Sequence, residues 1–192
     1  MSNRNDSATD LLAKLKGLDI SSLELLQRVL LVTDGTLTEI LEAAFLERIQ
    51  LVKVLQQVVS SHECLEWEDN EPVIERGVLL RGERSRRNYV YAKSLIAIDR
   101  LQPAFRQDLL ELNIPLGRLW LEHKLETYKE IVYVRSQSVG KLSCYFECSD
   151  AAVLLIRSYR VFSAHQLIMI ITEHFPAGFP NPHLRQTWSP RP

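Results

Sequence analysis

Several residue types that build the commonest functional sites are scarce in this 192-residue chain. There are three cysteines, Cys64, Cys144 and Cys148, an odd count without a CxxC pair. That favours free thiols in a reducing compartment over a disulfide framework. Only seven glycines are present, and none forms GxGxxG, a phosphate-cradling loop or GxSxG. The five histidines (62, 123, 165, 174 and 183) never fall into a metal-ligand spacing such as HExxH, so no metal is expected. Charge of neither sign dominates: 23 Lys and Arg against 24 Asp and Glu leave a net charge of -1. Nothing in that balance favours nucleic acid or an anionic membrane. No apolar run approaches the roughly 18 residues of a membrane span, and MSNRNDSATD at the N-terminus has no apolar targeting segment. A cytoplasmic protein, monomer or homodimer, with no membrane span is expected.

What is present is ordinary globular composition, 46% hydrophobic and 24% charged, in a length that suits one domain. A flexible lead-in is expected over 1–20, the domain over 21–176, and an irregular tail over 177–192. From Pro176 onward five of 17 residues are proline. Leu23, Leu26 and Leu30, with Leu25 and Val29, predict a helix from Ser22, ended by Asp34-Gly35. Thr36 and Glu39 have capping-box spacing, predicting a second helix from Leu37 to Leu46. Val- and Leu-rich segments at 48–59, 74–81 and 88–98 read as strands, the last two joined as a hairpin by GERSRR. Residues 101–112 read as helical, PLGRLWLE as a turn and short helix, and 123–135 as a long strand. A closing hairpin spans 153–163 and 166–175. Strands in hairpins with grouped helices predict an α+β fold on an antiparallel sheet.

DGTLT at 34–38 follows the apolar VLLV and resembles half of a phosphatase motif that uses an aspartyl nucleophile. The nucleophile belongs two residues before Asp34, where Val32 stands, so a capped helix start is the better account. Arg81, Arg84, Arg86 and Arg87 cluster at a hairpin tip and read as solvated loop charge rather than an anion site.

Strand parity is more informative, because alternate side chains share a face. Glu173 falls on the face of Leu167, Met169, Ile171 and Phe175. Arg76 falls on the face of Ile74, Val78 and Leu80. A buried charge costs several kcal/mol unless it is paired. Parity leaves two accounts open. One is a structural Arg76–Glu173 salt bridge across the sheet. The other is a cavity in which Arg76 receives an anion and Glu173 handles protons, with burial raising the carboxyl pKa toward neutrality.

The segments RGVLL (76–80), AKSLIAIDRL (92–101), PLGRLW (115–120), LETYKE (125–130) and YRVFSAHQLIMIITEHF (159–175) follow the DGTLT helix pair within one stretch of about 150 residues that ends at ITEHF. Their order and spacing resemble the chorismate pyruvate-lyase family. The resemblance implies a single α+β domain with helices over an enclosed ligand cavity. It also implies cofactor-independent cleavage of chorismate to 4-hydroxybenzoate and pyruvate. Arg76 takes the place of the arginine that binds the ring carboxylate. Leu116, with Gly117 in the PLG turn, matches the segment whose backbone N–H holds the ligand. Glu173 matches the carboxylate at the far end of the ring, expected to act as general acid on the ether oxygen. Leu37 and Thr38 lie near the helix hairpin expected to cover the cavity as a lid.

One departure is the turn before the last strand, Ser163-Ala164-His165-Gln166, which lacks the glycine and the following proline that the family usually carries there. Positive φ at a non-glycine residue is expected at this turn, at some cost. The fold also resembles the effector domains of bacterial transcription regulators, so the alternative function is a non-catalytic ligand-binding domain. Those regulators carry a winged-helix domain before the effector domain. Only about 20 residues precede the first helix here, without a basic recognition helix.

Overall fold

The computed structural model describes residues 18–60, 67, 71–112 and 114–178. The expected lead-in before residue 18, Cys64, and the tail beyond residue 178 lie outside the described residues. Six strands form one sheet: β1 (Ile49–Ser60), β2 (Pro72–Gly82), β3 (Asn88–Ala97), β4 (Tyr128–Ser138), β5 (Val153–Ser163) and β6 (Gln166–Pro176). Their spatial order is β1-β2-β3-β6-β5-β4, and every neighbouring pair is antiparallel. Five α-helices accompany them: α1 (Leu25–Val32), α2 (Leu37–Phe45), α3 (Pro103–Glu111), α4 (Leu116–Glu122) and the single-turn α5 (Ser143–Phe146). The α+β class holds.

The last hairpin joins the β1–β3 meander through β3–β6 pairing, bringing segments some 80 residues apart edge to edge. The apolar inner face of the sheet is covered by two helix pairs. Leu30, Leu31, Leu37 and Leu41 of α1 and α2 pack on Val78, Leu80, Val90, Leu155 and Phe175. Phe105, Leu109, Leu119 and Trp120 of α3 and α4 pack on Ile74, Ile96, Tyr159, Val161, Met169 and Ile171. Strands β2 and β6 therefore feed both cores: β2 sends Ile74 to one and Val78 to the other, and β6 sends Ile171 to one and Phe175 to the other. The seam between the cores is where polar side chains enter.

Several expected boundaries move for local reasons. The helix expected from Ser22 begins at Leu25 after a 3-10 turn over Ile20–Ser22, whose N-terminus Asp19 caps by accepting from the Ser21 N–H at 3.1 Å. Gln27 Oε1 then accepts from the Glu24 N–H at 2.8 Å. Thr36 bonds the Glu39 carboxylate through side chains alone, so the expected capping box does not form. The strand expected from residue 123 starts at Tyr128, because His123 ends α4 and bonds Asp108 at 2.8 Å. A register shift between Val161 and Phe162 flips the parity of the first residues of β6. Leu167 consequently packs with Trp67, Val73 and Ala97 rather than with Met169 and Ile171.

The β5–β6 turn carries positive φ at both central residues, 47° at Ala164 and 64° at His165. Two-residue hairpins with this geometry favour Asn-Gly, and the left-handed region costs other residues about 1 kcal/mol. Replacing Ala164-His165 by Asn-Gly is expected to raise Tm by about 2–4 °C. An unchanged or lower Tm in thermal unfolding would show that the turn is not strained.

Candidate active site

At the seam, three side chains interrupt the inner face at one level: Arg76 between Ile74 and Val78, Arg157 between Leu155 and Tyr159, and Glu173 between Ile171 and Phe175. Their relative exposures are 1%, 2% and 4%. The register puts Arg157 directly opposite Glu173 on the neighbouring strand. Arg76 lies two strands from Glu173, through Ser94 and Ala92 of β3. From ordinary strand spacings, the two Cα atoms are about 12 Å apart. The Arg76–Glu173 salt bridge that parity left open does not form.

Glu173 is instead paired with Arg157, which donates from Nε and NH2 to Oε2 at 3.0 and 2.7 Å. Tyr159 donates its hydroxyl to Oε1 at 2.9 Å. Donors thus face both oxygens, the arrangement of an ionised carboxylate acceptor. A carboxyl kept company by apolar side chains alone, as expected from the strand pattern, is not what the site contains. Burial and then the Glu173 charge push the Tyr159 hydroxyl well above its ordinary pKa, so it stays a donor. Burial pulls the Arg157 pKa down, but Glu173 and Tyr159 together outweigh it and leave Arg157 raised. The remaining Arg157 nitrogen, NH1, donates to the Thr33 carbonyl at 2.8 Å, tying the ion pair to the end of α1.

Arg76 is the opposite case. Its NH2 reaches the Ile114 carbonyl at 3.4 Å, while buried Nε and NH1 have no hydrogen-bond partner among the described residues. Burial lowers its pKa to about 10, so it remains a cation at neutral pH, with no acidic partner among the described residues. A desolvated guanidinium with two unused donors is built to receive an anion, and its fork matches a carboxylate.

Arg76 and Glu173 line one cavity, with about 580 Å³ of empty space when its open mouth is counted. Every residue expected at the site lies on its wall. Leu37 and Thr38 start α2 and are buried, so the α1–α2 hairpin forms the cover. Leu116 and Gly117 open α4, where backbone N–H groups lack intrahelical partners. Gly117 is required by packing: a Cβ there would meet the Thr36 methyl at 2.9 Å. The apolar wall comes from Leu51, Val78, Leu80, Ala92 and Ile171. No group of three or more potential metal ligands occurs among the described residues.

Lys129 and Tyr159 complete the polar lining. The Lys129 ammonium lies 4.9 Å from the Trp120 ring centre and 5.9 Å from that of Tyr159. It donates to the Asp34 and Gly35 carbonyls, the latter at 3.2 Å. Burial lowers its pKa, partly offset by Glu173.

Residues 31–182 match the sequence profile of the family described as Chorismate pyruvate-lyase Rv2949c-like. The chain belongs to this family. The chorismate pyruvate-lyase of Mycobacterium tuberculosis (strain ATCC 25618 / H37Rv) is 34% identical over 155 residues, covering 77% of this chain and 78% of that protein. That of Mycobacterium leprae (strain TN) is 32% identical over 157 residues, covering 77% and 72%. Among solved structures, the effector domain of PhnF from Mycobacterium smegmatis superposes with a TM-score of 0.59 at 11% identity, covering 74% of this chain and 88% of that one. At that identity the likeness extends to the fold alone. No helix among the described residues is long and apolar enough to cross a membrane.

Within this lyase family member, three arginines of the basic hairpin tip bond within the protein: Arg81 to Asn88, Arg84 to the Leu46 carbonyl and Arg86 to Gln50. DGTLT is the turn that starts the cover helix. Arg157, Tyr159 and Lys129 were not among the expected site residues. Arg157 shares a face with Leu155, Tyr159 and Val161, but Leu154 and Ile156 on the opposite face are apolar too, so parity gave it no contrast.

Proposed function

We propose that this protein splits chorismate into 4-hydroxybenzoate and pyruvate without a cofactor, Arg76 holding the ring carboxylate and Glu173 handling the proton. The observation that carries this reading is the buried, unpaired Arg76 guanidinium facing the Glu173–Arg157–Tyr159 cluster across an apolar cavity. A flat ring with a carboxylate at one end and oxygen functions at the other fits such a slot.

In the reaction the C3–O ether bond breaks, the C4 proton leaves, and the C4–H electron pair completes the aromatic ring. The departing enolpyruvyl oxygen gains a proton and tautomerises to pyruvate. Chorismate carries its ether and hydroxyl trans, so the C4 hydrogen and the ether oxygen share a face of the ring. One carboxylate can therefore serve both: Glu173, held as an acceptor by Arg157 and Tyr159, takes the C4 proton and delivers it to the ether oxygen as general acid. Leu116 and Gly117 offer backbone donors, and the α1–α2 hairpin with Leu37 and Thr38 excludes water.

The test is direct. Purified protein incubated with chorismate, with neither metal nor cofactor added, should produce stoichiometric 4-hydroxybenzoate, followed by absorbance, and pyruvate. Failure to form product defeats the reading. Tight binding without product would favour the second one, a non-catalytic ligand-binding domain, to which the effector-domain fold of PhnF lends support. The lyases at 32 and 34% identity over most of their length favour catalysis.

A further inference from the structure

The substrate in the reading above is a dianion, and Arg76 accounts for one carboxylate. We propose that Lys129 is the subsite for the second, the carboxylate of the enolpyruvyl group. Lys129 lies on β4 and reaches the cavity from the Glu173 side, where the ether oxygen is to be protonated; its charge is felt by Glu173, Arg157 and Asp34. An ammonium has three donors. Two go to the Asp34 and Gly35 carbonyls, leaving the third without a partner among the described residues. The Trp120 and Tyr159 rings flank the ammonium and fix where that third donor can lie. The ring of Trp120 lines the same cavity, and its buried indole N–H has no hydrogen-bond partner among the described residues. An unfilled ammonium donor over a ring whose indole donor is also unfilled suits a carboxylate, at a place distinct from Arg76.

The same geometry gives Lys129 a way to distinguish substrate from product. Thr33, Asp34 and Gly35, the turn between the cover helices, offer three successive carbonyls to Arg157 and Lys129. A ligand with a second carboxylate gains a bond to Lys129 and draws tight the contact that holds this turn down. 4-Hydroxybenzoate has no such group, so it contacts only the Arg76 end and the Glu173 cluster.

This inference rests on the lyase reading for its substrate, but its test does not depend on turnover. The probes are 4-hydroxybenzoate and 3-(carboxymethoxy)-4-hydroxybenzoate, a stable aromatic dianion carrying an ether-linked carboxylate. Binding is read by tryptophan fluorescence in the wild type, Lys129→Met and Lys129→Arg. Methionine keeps the apolar stem on the two rings. Lys129→Met should weaken the dianion by roughly tenfold to a hundredfold, the range of a charge-assisted hydrogen bond, and leave 4-hydroxybenzoate within about twofold. Lys129→Arg should restore part of the preference. Equal weakening of both ligands would mean that Lys129 only holds the turn, and an unchanged dianion affinity would remove it from the site; either overturns the proposal. Failure of the lyase reading shows separately, as absence of product from chorismate with the wild type.

Discussion

Replacing Arg76 by methionine is expected to abolish ligand binding while making the ligand-free protein more stable. Arg76 is 1% exposed, has no acidic partner among the described residues, and leaves Nε and NH1 unbonded. Burial lowers its pKa from the ordinary guanidinium range to about 10. The direction fixes the sign. The folded state disfavours the cation, so the cost is fully present below about pH 10 and fades only as pH rises above that toward the ordinary guanidinium range. At roughly 1.4 kcal/mol per pH unit, the drop corresponds to about 3 kcal/mol of destabilisation at neutral pH. Methionine removes the charge and keeps much of the volume, losing only the long bond to the Ile114 carbonyl. Chemical denaturation should therefore show Arg76→Met more stable than the wild type by about 1–3 kcal/mol. Binding should move the other way. Losing a buried charge partner costs about 2–5 kcal/mol, so 4-hydroxybenzoate affinity should fall by roughly thirtyfold to several thousandfold. The ligand should raise the Tm of the wild type but not of the variant. A variant that is less stable when empty and still shifts with ligand would mean that Arg76 is a structural residue.

This opposition between stability and binding explains which features could be read from sequence. The strands and hairpins were visible because one face of each is apolar at period two, and the helix hairpin because DGT interrupts two leucine-rich stretches. Arg76 and Glu173 were visible for the same reason: a charge on an apolar face violates the pattern. Arg157 was hidden although it is equally buried. Strand β5 is covered on both sides, with Leu154 and Ile156 packed against Val139 on the face opposite Leu155 and Tyr159. With no polar face to contrast, a charge in it breaks no alternation. Lys129 was obscured because its strand starts five residues later than expected and carries a register shift between Ile131 and Tyr133. Leu167 was misplaced by a similar shift. Parity also could not name the partner of Glu173, because pairing depends on register across strands distant in sequence. The resemblance supplied the positions of Leu37, Thr38, Leu116 and Gly117, for which no pattern of composition gave a reason. Packing supplies one for Gly117, whose missing Cβ lets α4 approach Thr36.

Glu173→Gln should cut turnover by roughly a hundredfold to ten-thousandfold, the usual worth of a positioned acid or base, while 4-hydroxybenzoate still binds. The amide retains a carbonyl to accept from Arg157 but cannot carry a proton from C4 to the ether oxygen. It also leaves Arg157 as a buried cation facing a neutral group, and breaking such a pair costs about 3–5 kcal/mol. Lost activity alone would therefore be ambiguous between missing chemistry and a weakened fold. The double variant Glu173→Gln with Arg157→Met resolves it. Removing both charges relieves the desolvation of Arg157, so stability should return toward the wild type. Activity should stay low, since the proton carrier is still absent. The Arg157 bond to the Thr33 carbonyl is lost as well, so the double variant should bind ligand somewhat less tightly than Glu173→Gln alone. If the double variant regained both stability and turnover, Glu173 would be only the counter-ion of Arg157. If it regained stability without turnover, the carboxylate that parity marked as an anomaly would be the group that moves the proton.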